Sequence, residues 1–164
     1  MARGRERRGN PGSARKALLT LPRNLLLDTS ILIHLVRNNR IGRIVESKFR
    51  LRTRAEKPLI SIITVGEALA FARKLSWGDS RVEALEELFS DLIIVDIADE
   101  IIALYAEMDH FLERTGRPIQ QNDIWIAATA VATGTHLLTT DKDFDPLYPA
   151  YLDRTWIDPQ RPDA

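Results

Sequence analysis

The stretch Leu25-Leu26-Leu27-Asp28-Thr29-Ser30 constrains the fold more than any other part of the chain. Three consecutive leucines with no polar alternation read as a strand buried on both faces, the pattern of a parallel sheet covered by helices. The run stops at an acid, and Thr29 and Ser30 offer hydroxyls to cap a helix opening with Ile31-Leu32-Ile33. A strand that ends in Asp and turns directly into a helix is the βα unit of an open α/β sheet. In such sheets the carboxyl ends of the strands form the ligand crevice.

The rest of the chain repeats that alternation. Strands are expected at 24–28, 58–62, 92–95, 136–140 and 155–157, the third again buried and the fourth again ending at an Asp. Helices are expected at about 30–38, 41–55, 64–75, 80–89, 99–115 and 124–133. Their start signals are Thr64, a capping box Ser80-Arg81-Val82-Glu83, and Asp99; their stop signals include Gly116 with Pro118 beyond, and Gly134. Strands alternating with helices imply a parallel sheet with right-handed crossovers. At 164 residues the chain reads as one domain, 23–158, between a basic extension 1–22 expected to be disordered and a short tail, 159–164.

Charge is where composition enters the argument. The net charge is zero, yet residues 1–23 hold seven basic groups against Glu6 alone, leaving 16 basic and 22 acidic residues elsewhere. A second basic stretch runs from Arg37 to Lys57, with Arg50, Arg52 and Arg54 at its core. Basic stretches on an otherwise acidic chain suggest a polyanionic partner, and a solvated helix face is the plain alternative. The absence of cysteine excludes disulfides and thiolate metal sites and fits a cytoplasmic protein. No apolar run reaches the roughly 20 residues of a membrane helix, and no signal peptide is visible.

Four acids fall where strands turn into helices or just inside helices. Asp28 and Asp141 follow the first and fourth strands, Glu67 lies in the helix after the second, and Asp123 opens the alanine-rich helix. All four can project toward one edge of the sheet. Two unit charges about 4 Å apart repel by roughly 4 kcal/mol at an effective dielectric near 20, so such a cluster protonates or recruits divalent cations. Oxygen-only ligands suit Mg²⁺ or Mn²⁺. Each acid also has a structural role open to it. Glu67 fits the third helical position of a Thr64-x-x-Glu67 capping box, and Asp123 suits a helix dipole. Asp28, Asp141, Asp143 and Asp145 suit turns. Competing sites are absent from the sequence: His34, His110 and His136 sit in unrelated contexts, and there is no glycine-rich phosphate loop, Gly-x-Ser-x-Gly or dinucleotide fingerprint. Trp77, Trp125 and Trp156 read as core or interface rather than base-stacking platforms.

Four segments together resemble a known family: Leu26-Leu27-Asp28-Thr29-Ser30, Ser61-Ile62-Ile63-Thr64-Val65-Gly66-Glu67-Ala68-Leu69, Asn122-Asp123-Ile124-Trp125-Ile126-Ala127-Ala128-Thr129-Ala130, and Leu138-Thr139-Thr140-Asp141-Lys142-Asp143-Phe144. In this order and spacing they resemble PIN-domain ribonucleases, and within these the VapC-type toxins of toxin–antitoxin pairs. The resemblance covers about residues 24–158. It implies a three-layer α/β fold with a central parallel sheet of about five strands flanked by helices. It further implies a Mg²⁺- or Mn²⁺-dependent endoribonuclease with Asp28, Glu67, Asp123 and Asp141 as metal-binding quartet, supported by Ser30, Thr140 and Asp143. An RNA substrate, an antitoxin protein in the active-site groove, a homodimer and no membrane association follow from it. The basic extension departs from the family, whose members begin a few residues before the first Asp.

Two other functions compete with this one. A phosphatase using Asp28 as nucleophile would want a second Asp two residues on, where this chain has Ser30. A catalytically silent fold of the same family would serve as an RNA-binding or interaction module.

Overall fold

The computed structural model describes Pro22 and residues 24–164, so the expectation of disorder for 1–22 lies, Pro22 apart, outside the described residues. The three leucines form β1 (Leu25–Leu27), and all three are fully buried. Alternation across the pleat sends Leu25 and Leu27 into one core and Leu26 into the other. β1 is therefore the middle of three layers. It pairs in parallel with β2 (Leu59–Ser61) on one side and β4 (His136–Thr139) on the other. β3 (Ile93–Val95) and β5 (Arg154–Trp156) close the edges, giving a five-stranded, all-parallel sheet in the order β3-β2-β1-β4-β5.

Six α-helices cover the faces among the described residues: α1 (Thr29–Val36), α2 (Arg40–Phe49), α3 (Ile62–Lys74), α4 (Asp79–Ser90), α5 (Asp99–Arg114) and α6 (Gln121–Ala132). One core gathers Ile31 and Leu32 of α1, Val45 of α2, Ala68 of α3 and Leu85 of α4. The other gathers Ile101, Met108 and Leu112 of α5 with Ile124, Ile126 and the alanines of α6. α1 and α2 approach so closely at Gly42 that a Cβ there would lie 2.2 Å from the His34 carbonyl oxygen. Gly134, with φ +62°, turns the chain from α6 into β4. Among the described residues no helix is long and apolar enough to cross a membrane.

Several local expectations are corrected. The helix expected at 41–55 stops at Phe49, where Arg50 takes up a left-handed conformation. α3 starts at Ile62 rather than Thr64, capped by the Ser61 hydroxyl, which accepts from the Ile63 N–H at 3.2 Å. Thr64 is instead buried in the first turn, its hydroxyl without a partner among the described residues. The Thr64-x-x-Glu67 capping box therefore does not form. α4 begins at Asp79 after Gly78, with no side-chain cap, so Ser80-Arg81-Val82-Glu83 forms no capping box either. Asp99 is the first residue of α5 rather than its cap. The strand expected to be buried at 92–95 is an edge, with Ile93 47% and Ile94 42% exposed. Residues 159–164 are held against α2: Asp163 pairs with Arg40, and the Ala164 carbonyl accepts from Lys48 Nζ at 3.2 Å.

Candidate active site

The chain runs from β1 to β2 in one direction and reaches β4 on the other side, so the crevice between connections opens at the carboxyl ends of β1 and β4. Asp28 stands at that point. It caps α1, its side chain only slightly exposed at 4%. Oδ1 accepts from the Thr29 N–H at 2.7 Å, and Oδ2 accepts from the Ser30 hydroxyl at 2.7 Å and the Thr139 hydroxyl at 2.8 Å. Burial pushes this carboxyl above its ordinary range, against the pull of those donors.

The other acids are tied to the same neighbourhood. Glu67, in the second turn of α3, accepts from the Thr29 hydroxyl at 2.7 Å through Oε1 and from the Asn122 amide at 3.2 Å through Oε2. Free of a capping box, its carboxylate bridges α1, α3 and the start of α6. Asp141 follows β4; its N–H donates to the Thr139 hydroxyl at 2.9 Å, and its Oδ1 accepts from the Asp143 N–H at 2.9 Å. The Thr139 side chain thus joins Asp28 to the Asp141 backbone. Ser30 does the same one residue earlier, accepting from the Thr140 N–H at 3.1 Å.

Asp123 lies in the first turn of α6. Its carboxyl is pushed up to about 7, first by burial and then by the charges of Asp28, Asp141, Glu67 and Asp143. The other three expected acids, and Asp143, therefore all act on Asp123. Asp143 is raised by burial first and then by Asp141, and lies exposed at the rim. Asp145 is drawn away into an ion pair with Arg154.

Among the described residues, no group of three or more His, Cys, Asp or Glu side chains stands drawn together as a metal-holding set. What fits a divalent cation is the donor chemistry. The clustered acids offer only carboxylate oxygens, the ligands of Mg²⁺ and Mn²⁺. None of Asp28, Glu67, Asp123, Asp141 and Asp143 is in a salt bridge with a described residue. Mutual repulsion of the kind that lifts Asp123 is relieved by a bound cation.

Thr29, Asn122 and Thr139 carry site interactions not expected from the sequence. Thr139 and Asn122 sit directly beside expected site residues in the quoted motifs, and that adjacency was their only signal. Thr140 contributes its backbone: its carbonyl also accepts from Trp156 Nε1 at 3.0 Å. Arg50, Arg52 and Arg54 do not join the acids. They lie between α2 and β2, and Arg54 donates to the Pro22 carbonyl at 2.6 Å just ahead of the amino end of β1. Arg52 also binds Glu46 through its backbone N–H at 3.1 Å.

Comparison with known proteins agrees with this architecture. The family model of the PIN domain matches residues 25–148. Ribonuclease VapC2 of Haemophilus influenzae is 30% identical over 116 residues, covering 71% of this chain and 85% of that protein. Among solved structures, VapBC-1 from nontypeable Haemophilus influenzae is similar with a TM-score of 0.65 and 27% identity, over 81% of this chain and 97% of that one. VapBC2 from Rickettsia felis, bound to a DNA fragment from its promoter, shares the fold with a TM-score of 0.71 at 23% identity, over 80% and 97% of the two chains.

Proposed function

From the premise that this chain belongs to the PIN-domain family, we propose that it is an endoribonuclease, the toxin of a toxin–antitoxin pair, cutting RNA with the help of Mg²⁺ or Mn²⁺. The observation that carries the reading is the hydrogen-bond network in which Thr29 joins Asp28 to Glu67 and Thr139 joins Asp28 to the Asp141 backbone, at the carboxyl ends of β1 and β4. Relatives named as VapC ribonucleases support the activity. Solved VapBC structures, and a toxin–antitoxin complex from Klebsiella pneumoniae, support an antitoxin partner. A homodimer and a cytoplasmic location complete the proposal.

Asp28, Glu67, Asp123 and Asp141 would hold the cation. A cation held there would supply charge against the scissile phosphate and lower the pKa of an attacking water. The chain's own groups prepare the site. Thr29, Ser30 and Thr139 lock the Asp28 carboxylate in one orientation, and Thr29 with Asn122 locks Glu67. Asp123, its carboxyl raised by burial and by its acidic neighbours, would be ionised when it holds a cation. Asp143, exposed beside Asp141, would support the set. Both oxygens of Asp28 are engaged by donors, and Ser30 occupies the position a phosphatase would give to its second acid. That arrangement favours attack by water over attack by Asp28.

The test is cleavage of RNA by the full chain with Mg²⁺, Mn²⁺ or EDTA, for the wild type and for Asp28→Asn, Glu67→Gln, Asp123→Asn and Asp141→Asn. The wild type is expected to cut only with metal, and each variant to lose at least about 100-fold while staying folded. Cleavage indifferent to EDTA, or retained by Asp123→Asn, overturns the reading.

A further inference from the structure

Three aspartates follow β4 in quick succession, Asp141, Asp143 and Asp145, with Lys142 between the first two. A lysine so placed is the natural counter-ion of its neighbours, yet it does not pair with them. The Lys142 ammonium stands 4.3 Å from the centre of the Trp156 ring, and Lys142 is in no salt bridge among the described residues. Arg154, two residues before Trp156 on β5, takes the third acid instead: it pairs with Asp145 and lies over the Tyr148 ring at 4.8 Å. Alternation along β5 puts the Arg154 and Trp156 side chains on one face of the sheet. Their register partners on β4 are Leu137 and Thr139, and Leu137 shares its core with Phe144 and Leu147 of the turn after β4. Trp156 also donates from Nε1 to the Thr140 carbonyl at 3.0 Å, one residue before Asp141. β5 thus grips that turn at Thr140, Lys142 and Asp145, and neither of the two cations in the grip pairs with Asp141 or Asp143.

We infer that Trp156 is a positioning residue for the acids: its ring holds the Lys142 ammonium off Asp141 and Asp143, which leaves those carboxylates open to a divalent cation. The inference rests on the metal-dependent function proposed above and identifies what keeps the acids from being neutralised by their own neighbour. An indole is the best of the aromatic faces for an ammonium. The flexible four-carbon stem of lysine lets its charge reach either the ring or the flanking carboxylates. Released from the ring, the ammonium would swing to Asp141 and Asp143 and compete with a divalent cation for the same oxygens. The two contacts of Trp156 work together, the N–H fixing the backbone just before Asp141 and the ring taking the charge just after it. Asp145 is handled in the opposite way, since Arg154 neutralises it. The uncompensated charge of the turn is thereby confined to Asp141 and Asp143.

Binding of Mn²⁺ to the full chain, followed by titration calorimetry at low ionic strength and without RNA, tests this separately from cleavage. Trp156→Leu, which keeps bulk but neither ring nor N–H, is expected to weaken binding about fivefold. Trp156→Phe, which keeps a ring without the N–H, should weaken it by less than about twofold. Adding Lys142→Gln to Trp156→Leu should bring the affinity back to within about twofold of the wild type, whereas Lys142→Gln alone should change it by less than about twofold. That recovery would also show that the Trp156→Leu chain is folded. A role limited to packing or to the Thr140 bond is not rescued by removing a lysine charge. Full affinity in Trp156→Leu, a loss that Lys142→Gln does not restore, or equal losses in Trp156→Leu and Trp156→Phe overturns the inference alone. A wild type that binds no Mn²⁺ overturns the metal-dependent reading, and this inference with it.

Discussion

At the scale of the residue, the site is a set of carboxylates held by hydroxyls rather than by cations. Thr139 is the clearest case: one hydroxyl donates to Asp28 and accepts from the Asp141 N–H. Thr139→Val keeps the shape and removes both bonds, leaving a buried carboxylate short of a donor. It should destabilise the protein by about 1–3 kcal/mol, read by urea denaturation, and depress cleavage as well. Asp123 makes the second prediction. Its carboxyl rises from 3.8 to about 7 on folding, so the native state binds more protons than the unfolded chain across that window. Stability of the metal-free protein is therefore full below pH 4 on account of this group, and declines as pH rises toward 7. Asp28, also raised, acts in the same direction. For Asp123 the loss is about 1–2 kcal/mol once its partial exposure is allowed for. Melting temperatures in EDTA at pH 5 and pH 8 measure it, and Asp123→Asn should flatten the difference.

At the scale of the element, what was legible in the sequence was whatever burial dictates. The leucine run gave β1 its place, because only a central parallel strand excludes water from both faces. Helix ends were less legible. Thr64 and Glu67 have the spacing of a capping box, but Ser61 lies three residues earlier at the end of β2 and takes the cap, which converts Glu67 from a terminus residue into one that reaches Thr29 and Asn122. β3 misled in the opposite sense: its Ile93-Ile94-Val95 run reads as a core strand, and it lies at the rim of the sheet because nothing local distinguishes an edge strand from a central one. The positions of the acids at the strand ends were legible, and Ser30 beside Asp28 with them, while the hydroxyls of Thr29 and Thr139 were not read as partners of the acids, since a threonine beside an aspartate is ordinary in any sequence. One helix contact yields a direct test. Gly42→Ala forces α1 and α2 apart at the His34 carbonyl, and should cost about 1–3 kcal/mol in chemical denaturation while leaving the acids in place.

At the scale of the whole molecule, a cation held among the acids as proposed would bind only the folded chain, so Mn²⁺ at a hundredfold excess over its dissociation constant should stabilise by about 2.7 kcal/mol. A thermal melt with and without Mn²⁺ reads that shift, and it should shrink in each of the four amide variants. The sheet order has a further consequence for how such a protein is made. β1 lies at the centre, yet its neighbour β4 is more than a hundred residues downstream, and the Thr139 bond to Asp28 spans 111 residues. A chain still emerging from the ribosome carries Asp28 and Glu67 long before Asp123 and Asp141 exist, with one side of β1 open. The four acids thus come together only once residue 141 has been made and β4 has docked beside β1, so a copy cut short before β4 holds Asp28 and Glu67 without Asp141.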